Sequence, residues 1–384
     1  MPNKQYAYIN NKILKWAREE TPLSIDDVSI RLKDIDLEEL KKYETGEELP
    51  SISIAKKMAK LYDIPFAALY LTDVPLKSKP DYIDRRTFSS STIDGISYEL
   101  WKEIRFFKSC RENLLSIIDE EYNYEKLPTL KTNSSIDYIV NEVRDFFKIV
   151  TPLKNKTAFG TNSFSYFRKI IEKKGILVFQ ISDIETKQIR GVSLNFDVFP
   201  IIAVNKKDTE KAKVFTMFHE LVHLIRRTSG LCLIDFSERN DNEEKLCDEI
   251  AGNILVPKSE LVKFEHTKID EEFILHLSDI FGVSSFVILK RLYDEKMISN
   301  EYYKKKYIEF YNNFMENKKY IEKSNQEKNS NVPHHIRVLS TVGNLFPSLV
   351  LNAYYEGSIS LGEACRTLNV KTKTMESLER MVVY

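Results

Sequence analysis

Apolar residues return at helical spacing along most of the chain and at strand-like spacing in one stretch only. Ile9, Ile13, Leu14 and Ala17 share one face of a first helix. Ser24 is an N-cap for a second helix carrying Ile25, Val28 and Leu32, and a third holds Leu37, Leu40 and Tyr43. Thr45-Gly46-Glu47 is a turn, after which Ser51 or Ser53 opens a helix with Ile54, Met58, Leu61 and Tyr62. Short helices joined by tight turns predict a helix-turn-helix domain over 1–75. The Pro-, Lys-, Ser- and Asp-containing stretch 76–97 reads as a linker. A long helix follows over 98–124 (Leu100, Ile104, Phe107, Leu114, Ile118), then another over 135–147.

The period then shortens. Apolar or alternating runs at 176–179, 189–196 and 199–204 predict three short strands of a small sheet. Asp208 can cap a long helix over 209–227, and a second helix over 242–255 is stopped by Pro257. Helical runs at 275–280 and 284–292, separated by Phe281-Gly282-Val283, predict another helix-turn-helix pair within a helical region over 263–311. Residues 312–333, rich in Asn, Lys, Glu and Ser, read as a flexible linker. Helical spacing resumes over 334–384 (Val338, Val342, Phe346, Leu349, Val350, Tyr354). Within that tail, Leu361-Gly362-Glu363-Ala364-Cys365 and the helix after it fit either a further helix-turn-helix or a packing subdomain. The predicted class is α+β, mainly α.

Composition narrows the function. Lys+Arg and Asp+Glu are both 57 in 384 residues, so the chain is neutral, and any contact with nucleic acid must come from a local patch. Hydrophobic content of 42% and charged content of 30% indicate a globular protein rather than a disordered one. No apolar run reaches the roughly 18 residues a membrane span needs, and the first residues lack the apolar stretch of a signal peptide. Cys110, Cys232, Cys247 and Cys365 lie far apart without a CxxC pair, which argues against a disulfide framework and for a reduced, cytoplasmic protein.

One motif carries chemistry. His219-Glu220-Leu221-Val222-His223 is His-Glu-x-x-His, and on a helix His219 and His223, at i and i+4, face one side. Two neutral imidazoles there can bind a divalent cation, typically zinc. Glu220, about 100° round the helix from His219, can reach a water on that cation. The surrounding Val214, Phe215, Phe218, Val222 and Ile225 make the helix apolar and buried. A zinc site needs a third ligand. The longer histidine pattern is excluded, because Arg226 and Ser229 occupy its positions. The best candidate is Glu244, approaching from a second helix, with Asp248 at i+4 placed to accept the free N–H of a ligand histidine. An acidic helix start favoured by the helix dipole is the competing explanation for this stretch. A closed structural site is the rival to a catalytic one, with Cys247 as its fourth ligand.

The sequence resembles the ImmA/IrrE family of metallopeptidases, in the version with an N-terminal XRE-type helix-turn-helix. The resemblance rests on four blocks in order: Gly191-Val192-Ser193-Leu194-Asn195 with Phe199-Pro200-Ile201-Ile202-Ala203-Val204-Asn205; Phe215 through Leu224; Glu244-Lys245-Leu246-Cys247-Asp248; and Ala251-Gly252-Asn253-Ile254-Leu255-Val256-Pro257. It implies a zincin-like metallopeptidase domain over 98–262, zinc held by His219, His223 and Glu244, and Glu220 as catalytic acid/base. It also implies a protein substrate: a helix-turn-helix repressor or similar regulator, whose cleavage switches on phage, mobile-element or stress genes. Leu23-Ser24-Ile25-Asp26-Asp27-Val28 and 43–50 resemble the XRE-type pattern more weakly. The presumed recognition segment, Asp36-Leu37-Glu38-Glu39-Leu40, is acidic where phosphates would be repelled, so DNA contact and a protein-docking role for this domain both stay open. The alternative to the peptidase is a transcriptional regulator or antitoxin-like binding protein with a structural zinc site. An oxyanion donor is expected besides the metal; His266 and His276 are candidates. A strand near 189–204 is expected to pair with an extended substrate.

Overall fold

The computed structural model describes residues 5–75, 96–118, 125–128, 134–150, 163–182, 184–227, 231–232, 242–264, 268–325 and 332–382. The contacts divide the chain into two units, 1–106 and 107–384.

The first unit is built from α1 (Asn11–Glu19), α2 (Ile25–Leu32), α3 (Leu37–Thr45) and α4 (Ile52–Leu61), followed by a 3-10 turn over Phe66–Tyr70. Side-chain caps start each helix: Asn10, Ser24, Asp36 and Ser51 accept from backbone amides, with reciprocal capping boxes at Ser24/Asp27 and Asp36/Glu39. Gly46, at φ 83°, ends α3 in the left-handed region. Ile13, Leu14, Val28, Leu40, Ala55, Met58 and Leu69 form the core. The helix α5 (Tyr98–Ile117) belongs to this unit up to Phe106. Tyr98 donates to Leu61 O, and Arg105 binds Asp63. The division therefore falls inside a helix, nine residues past the end of the expected linker at 97; 76–95 lie outside the described residues.

In the second unit, α6 (Ile136–Phe146) and α7 (Ser163–Glu172) lead into β1 (Leu177–Ile181), β2 (Gly191–Leu194) and β3 (Ile201–Asn205). A two-residue β4 (Leu231–Cys232) completes a sheet of order β1-β3-β2-β4, with β1 parallel to β3 and the other pairings antiparallel. Burial on both faces explains the near-continuous apolar sequence of β1 and β3. The long helix α8 (Glu210–Arg226) lies against β2, β3 and α7, and α9 (Asn242–Leu255) packs on α8 and α6. Thr209 rather than Asp208 caps α8: its side chain accepts from Ala212 N, and Asp208 accepts from Thr209 N.

After a short α10 (Lys258–Leu261), the helices α11 (Glu271–Phe281) and α12 (Ser285–Asp294) are bent 106° from each other about Gly282. No single described helix is long and apolar enough to cross a membrane. Next comes α13 (Asn300–Asn325), which runs through most of the segment expected to be a linker. Its Lys, Glu and Tyr residues are adequate helix formers, and Lys306 pairs with Glu309 one turn on. Four helices close the chain: α14 (His334–Val342), α15 (Leu345–Tyr355), α16 (Leu361–Thr367) and α17 (Thr372–Glu379).

A buried ion pair fastens these last helices to the sheet. Arg168 and Glu172, one turn apart on α7, lie 3.3 Å from each other and are both more than nine-tenths buried. Arg168 donates to Ser340 O at the end of α14 and to Val178 O, while Glu172 accepts from Asn344 N. Gly343, at φ 78°, passes so close that any Cβ would run into the Glu172 carboxylate. Removing one partner of such a pair strands a buried charge. Glu172→Ala is expected to lower folding stability by about 3–5 kcal/mol, read from urea unfolding.

Candidate metal centre

The helix α8 is apolar nearly all round and is sealed between the sheet, α7 and α9, so its polar residues are buried with it. His219, Glu220 and His223 are 4%, 0% and 2% exposed. One turn apart, the two imidazoles face each other with Nε2 atoms 3.1 Å apart. The first turn of α9 brings Glu244 to both: Oε2 is 3.2 Å from His219 Nε2, and Oε1 is 3.3 Å from His223 Nε2. One atom from each of the three residues lies within 4.8 Å of the other two, close enough to hold one metal ion. The start of α9 is fixed by a bidentate pair, Arg226 to Glu243 at 2.6 and 2.9 Å. Arg226 stands where the longer motif would place its glycine, and here it anchors the helix that supplies the carboxylate.

The outer nitrogens of the two rings have different partners. His219 Nδ1 lies 2.8 Å from Asp248 Oδ1, an arrangement that fixes the tautomer with Nε2 toward the metal position. His223 Nδ1 faces Cys247 Sγ at 3.7 Å. Cys247 thus sits on the far side of the ring from the three converging atoms, which weighs against the rival closed site in which it would supply a fourth ligand. Burial, reinforced by Glu243 and Glu244, pushes its thiol well above the ordinary range, so it stays protonated.

The electrostatics call for a cation between these groups. Burial disfavours charge on His219, but hydrogen bonds to Asp248 and Glu244 outweigh it and push its pKa up to about 10. Burial likewise opposes ionisation of Glu244, yet the two histidines hold it well below the usual carboxylate range. Without a metal, a proton fills the role. Both carboxylate oxygens of Glu220 are buried with no hydrogen-bond partner among the described residues, beside the triad and aimed at none of the protein's own donors. Such an orphaned carboxylate fits a site completed by a metal and its water. Two nitrogens and a carboxylate oxygen are also the donor set of catalytic zinc sites.

Sequence reasoning missed the contribution of β2. Gly191 crosses directly over Glu220: a Cβ there would lie 2.5 Å from Thr216 Cγ2 and 2.8 Å from Glu220 Oε1. The only signal was its place at the head of a block that could be recognised without a reason. Of the strands expected to receive substrate, β3 is paired on both sides, and β2 is paired on both sides at Gly191 and Val192; among the described residues Ser193 and Leu194 pair with β3 alone, and the positions that the register would set opposite them, 229 and 230, lie outside the described residues. His276 is exposed on α11, and His266 lies outside the described residues.

Comparison with known proteins bears on this region. A family model described as the IrrE N-terminal-like domain, of the M78 peptidases, matches residues 171–293. The matched segment supports the ImmA/IrrE family and a metallopeptidase-type function. It begins in α7 and ends in α12, so it contains the whole sheet, both ligand-bearing helices and the bent pair. No curated protein and no solved structure matches the chain.

Metal uptake must displace the proton on His219. Calorimetric titration of chelator-stripped protein with zinc near pH 7 should show release of about one proton, from the dependence of the heat on buffer ionisation enthalpy. His219 titrates at about 10, above its ordinary value, so metal affinity should keep rising with pH up to about 10. Gly191→Ala should cost about 1–3 kcal/mol of stability by overpacking while leaving metal content intact, measured by thermal unfolding and elemental analysis.

Proposed function

We propose that the protein is a zinc-dependent endopeptidase acting in the cytoplasm on a helix-turn-helix repressor or a similar regulator. The observation that carries this reading is the buried, partnerless Glu220 carboxylate beside three converging ligand atoms. A structural site has no use for it. The position of Cys247, behind His223, also favours three protein ligands over four.

When bound, zinc would supply an acidified water and polarise the scissile carbonyl. His219 and His223 would hold it through Nε2, with Glu244 as third ligand; Asp248 keeps the His219 ring oriented. Glu220 takes a proton at its carboxylate as water attacks and returns it to the leaving amine. Its dry surroundings, closed by Gly191 above and by the apolar face of α8, keep that carboxylate from competing solvent. An extended substrate segment would pair along a strand of the 189–204 region.

Glu220→Gln separates the readings. Zinc-loaded wild type is expected to cleave a repressor encoded beside its gene, and the variant to keep its zinc while losing about 10²–10⁴-fold in rate. Equal cleavage by both proteins, measured by electrophoresis and mass spectrometry, overturns the catalytic role.

A further inference from the structure

Three of the described helix pairs joined by short turns, α2–α3, α11–α12 and α16–α17, differ in what the second helix of each offers to a partner. In the first, α2–α3, the second helix begins with Glu38 and Glu39, and its cations are already neutralised: Lys41 binds Glu38 at 2.9 Å and Lys42 binds Glu48 at 2.6 Å. In the second, α11–α12, the second helix is covered by α13, with Phe286 at its start packed edge-on against Tyr307 and Phe310. The third pair, α16–α17, is different.

Its scaffold is that of a helix-turn-helix. A capping box between Ser360 and Glu363 starts α16, and a four-residue turn over 368–371 follows. In that turn Asn369 takes the left-handed conformation (φ 52°), a turn position usually given to glycine. Ala364, Cys365, Leu368, Val370, Met375 and Leu378 form the buried side, and α17 rests on α14. The outward side at the start of α17 carries Lys371, Thr372 and Lys373, all exposed, with Arg366 exposed beside them on α16. Arg366, Lys371 and Lys373 form no ion pair among the described residues. Of the nearby acids, Glu363 accepts from Ser360 N and Oγ, both at 2.8 Å, and also lies in the field of Arg366, while Glu376 binds Arg380 one turn on. An open cleft of about 600 Å³ adjoins them, lined by His334, Arg366, Asn369, Lys371 and Thr374 and by no acidic residue.

We propose that α16–α17 binds duplex DNA, with the N-terminal end of α17 entering the major groove and Arg366, Lys371 and Lys373 meeting the flanking phosphates. The groove is about 12 Å wide and admits a helix, whose first residues reach the bases in this motif. Three exposed cations around a helix start, none in an ion pair among the described residues, with helix N–H groups behind them, suit the charge of phosphates. Because the chain is neutral overall, any such attraction must come from a local patch of this kind. The inference stands apart from the peptidase reading, since none of these residues belongs to the metal centre.

Fluorescence anisotropy of the full-length chain with a labelled mixed-sequence duplex of about 30 base pairs tests it, over about 50 to 200 mM salt. Wild type is expected to bind with a steep salt dependence. The variant Arg366→Gln, Lys371→Gln, Lys373→Gln should weaken binding about tenfold or more at low salt and reduce the slope of log K against log salt by nearly 3, at about 0.9 per lost phosphate contact. All three side chains are exposed, so an unchanged thermal transition will confirm that the variant folds. A control variant, Lys41→Gln with Lys42→Gln, should bind like wild type. Absence of binding by wild type overturns the proposal, as do equal affinity of the triple variant, loss confined to the control variant, or a preference for single-stranded RNA or an acidic peptide over the duplex.

Discussion

The second unit is organised around two imidazoles and a carboxylate forced to one point inside an apolar core. Burial alone would drive all three groups to neutrality. His219 and Glu244 hold each other charged, so the cluster favours a cation at their meeting point. That preference accounts for much of the neighbouring structure. The helices α8 and α9 must cross at a fixed place, and the Arg226–Glu243 pair at their meeting ends sets it. Asp248 then fixes the His219 ring, and the strand above must leave room for Glu220.

The same logic separates the two acids of α9 from the one on α8. Glu244 lies against both histidines, and Asp248 against the outer nitrogen of His219. Glu220 is tied to nothing among the described residues, and a carboxylate kept buried without partners is costly unless it is completed during function. Stability and chemistry therefore pull in opposite directions at this residue, as they do at sites that must move protons.

Much of this was legible in the chain because it is local. The i, i+4 spacing of His219 and His223 and of Glu244 and Asp248 follows from helix geometry, and the caps at Ser24 and Ser51 and the stop before Pro257 follow from single residues. The α+β, mainly α, class followed from where the period changes. What escaped depends on distant partners. Nothing in the neighbourhood of Gly191 says that Glu220 will lie beneath it, and nothing near Cys247 says which nitrogen of His223 it will face. The α7 pair and the turn at Asn344 are separated by 172 positions, beyond the reach of any periodicity. The helical course of α13 was hidden for another reason: a polar composition suits a solvated helix as well as a linker.

The clasp made by Arg168, Glu172 and Gly343 bears on how this protein can be rearranged. A module joined by a tether alone can be gained, lost or exchanged between relatives with little harm to its host. Here the last four helices cover a guanidinium and a carboxylate that belong to the layer beneath the sheet, and they satisfy both. Whatever these helices bind, they are held rigidly to the unit that carries the metal centre. Recombination that separates them leaves behind an interior with an open electrostatic wound.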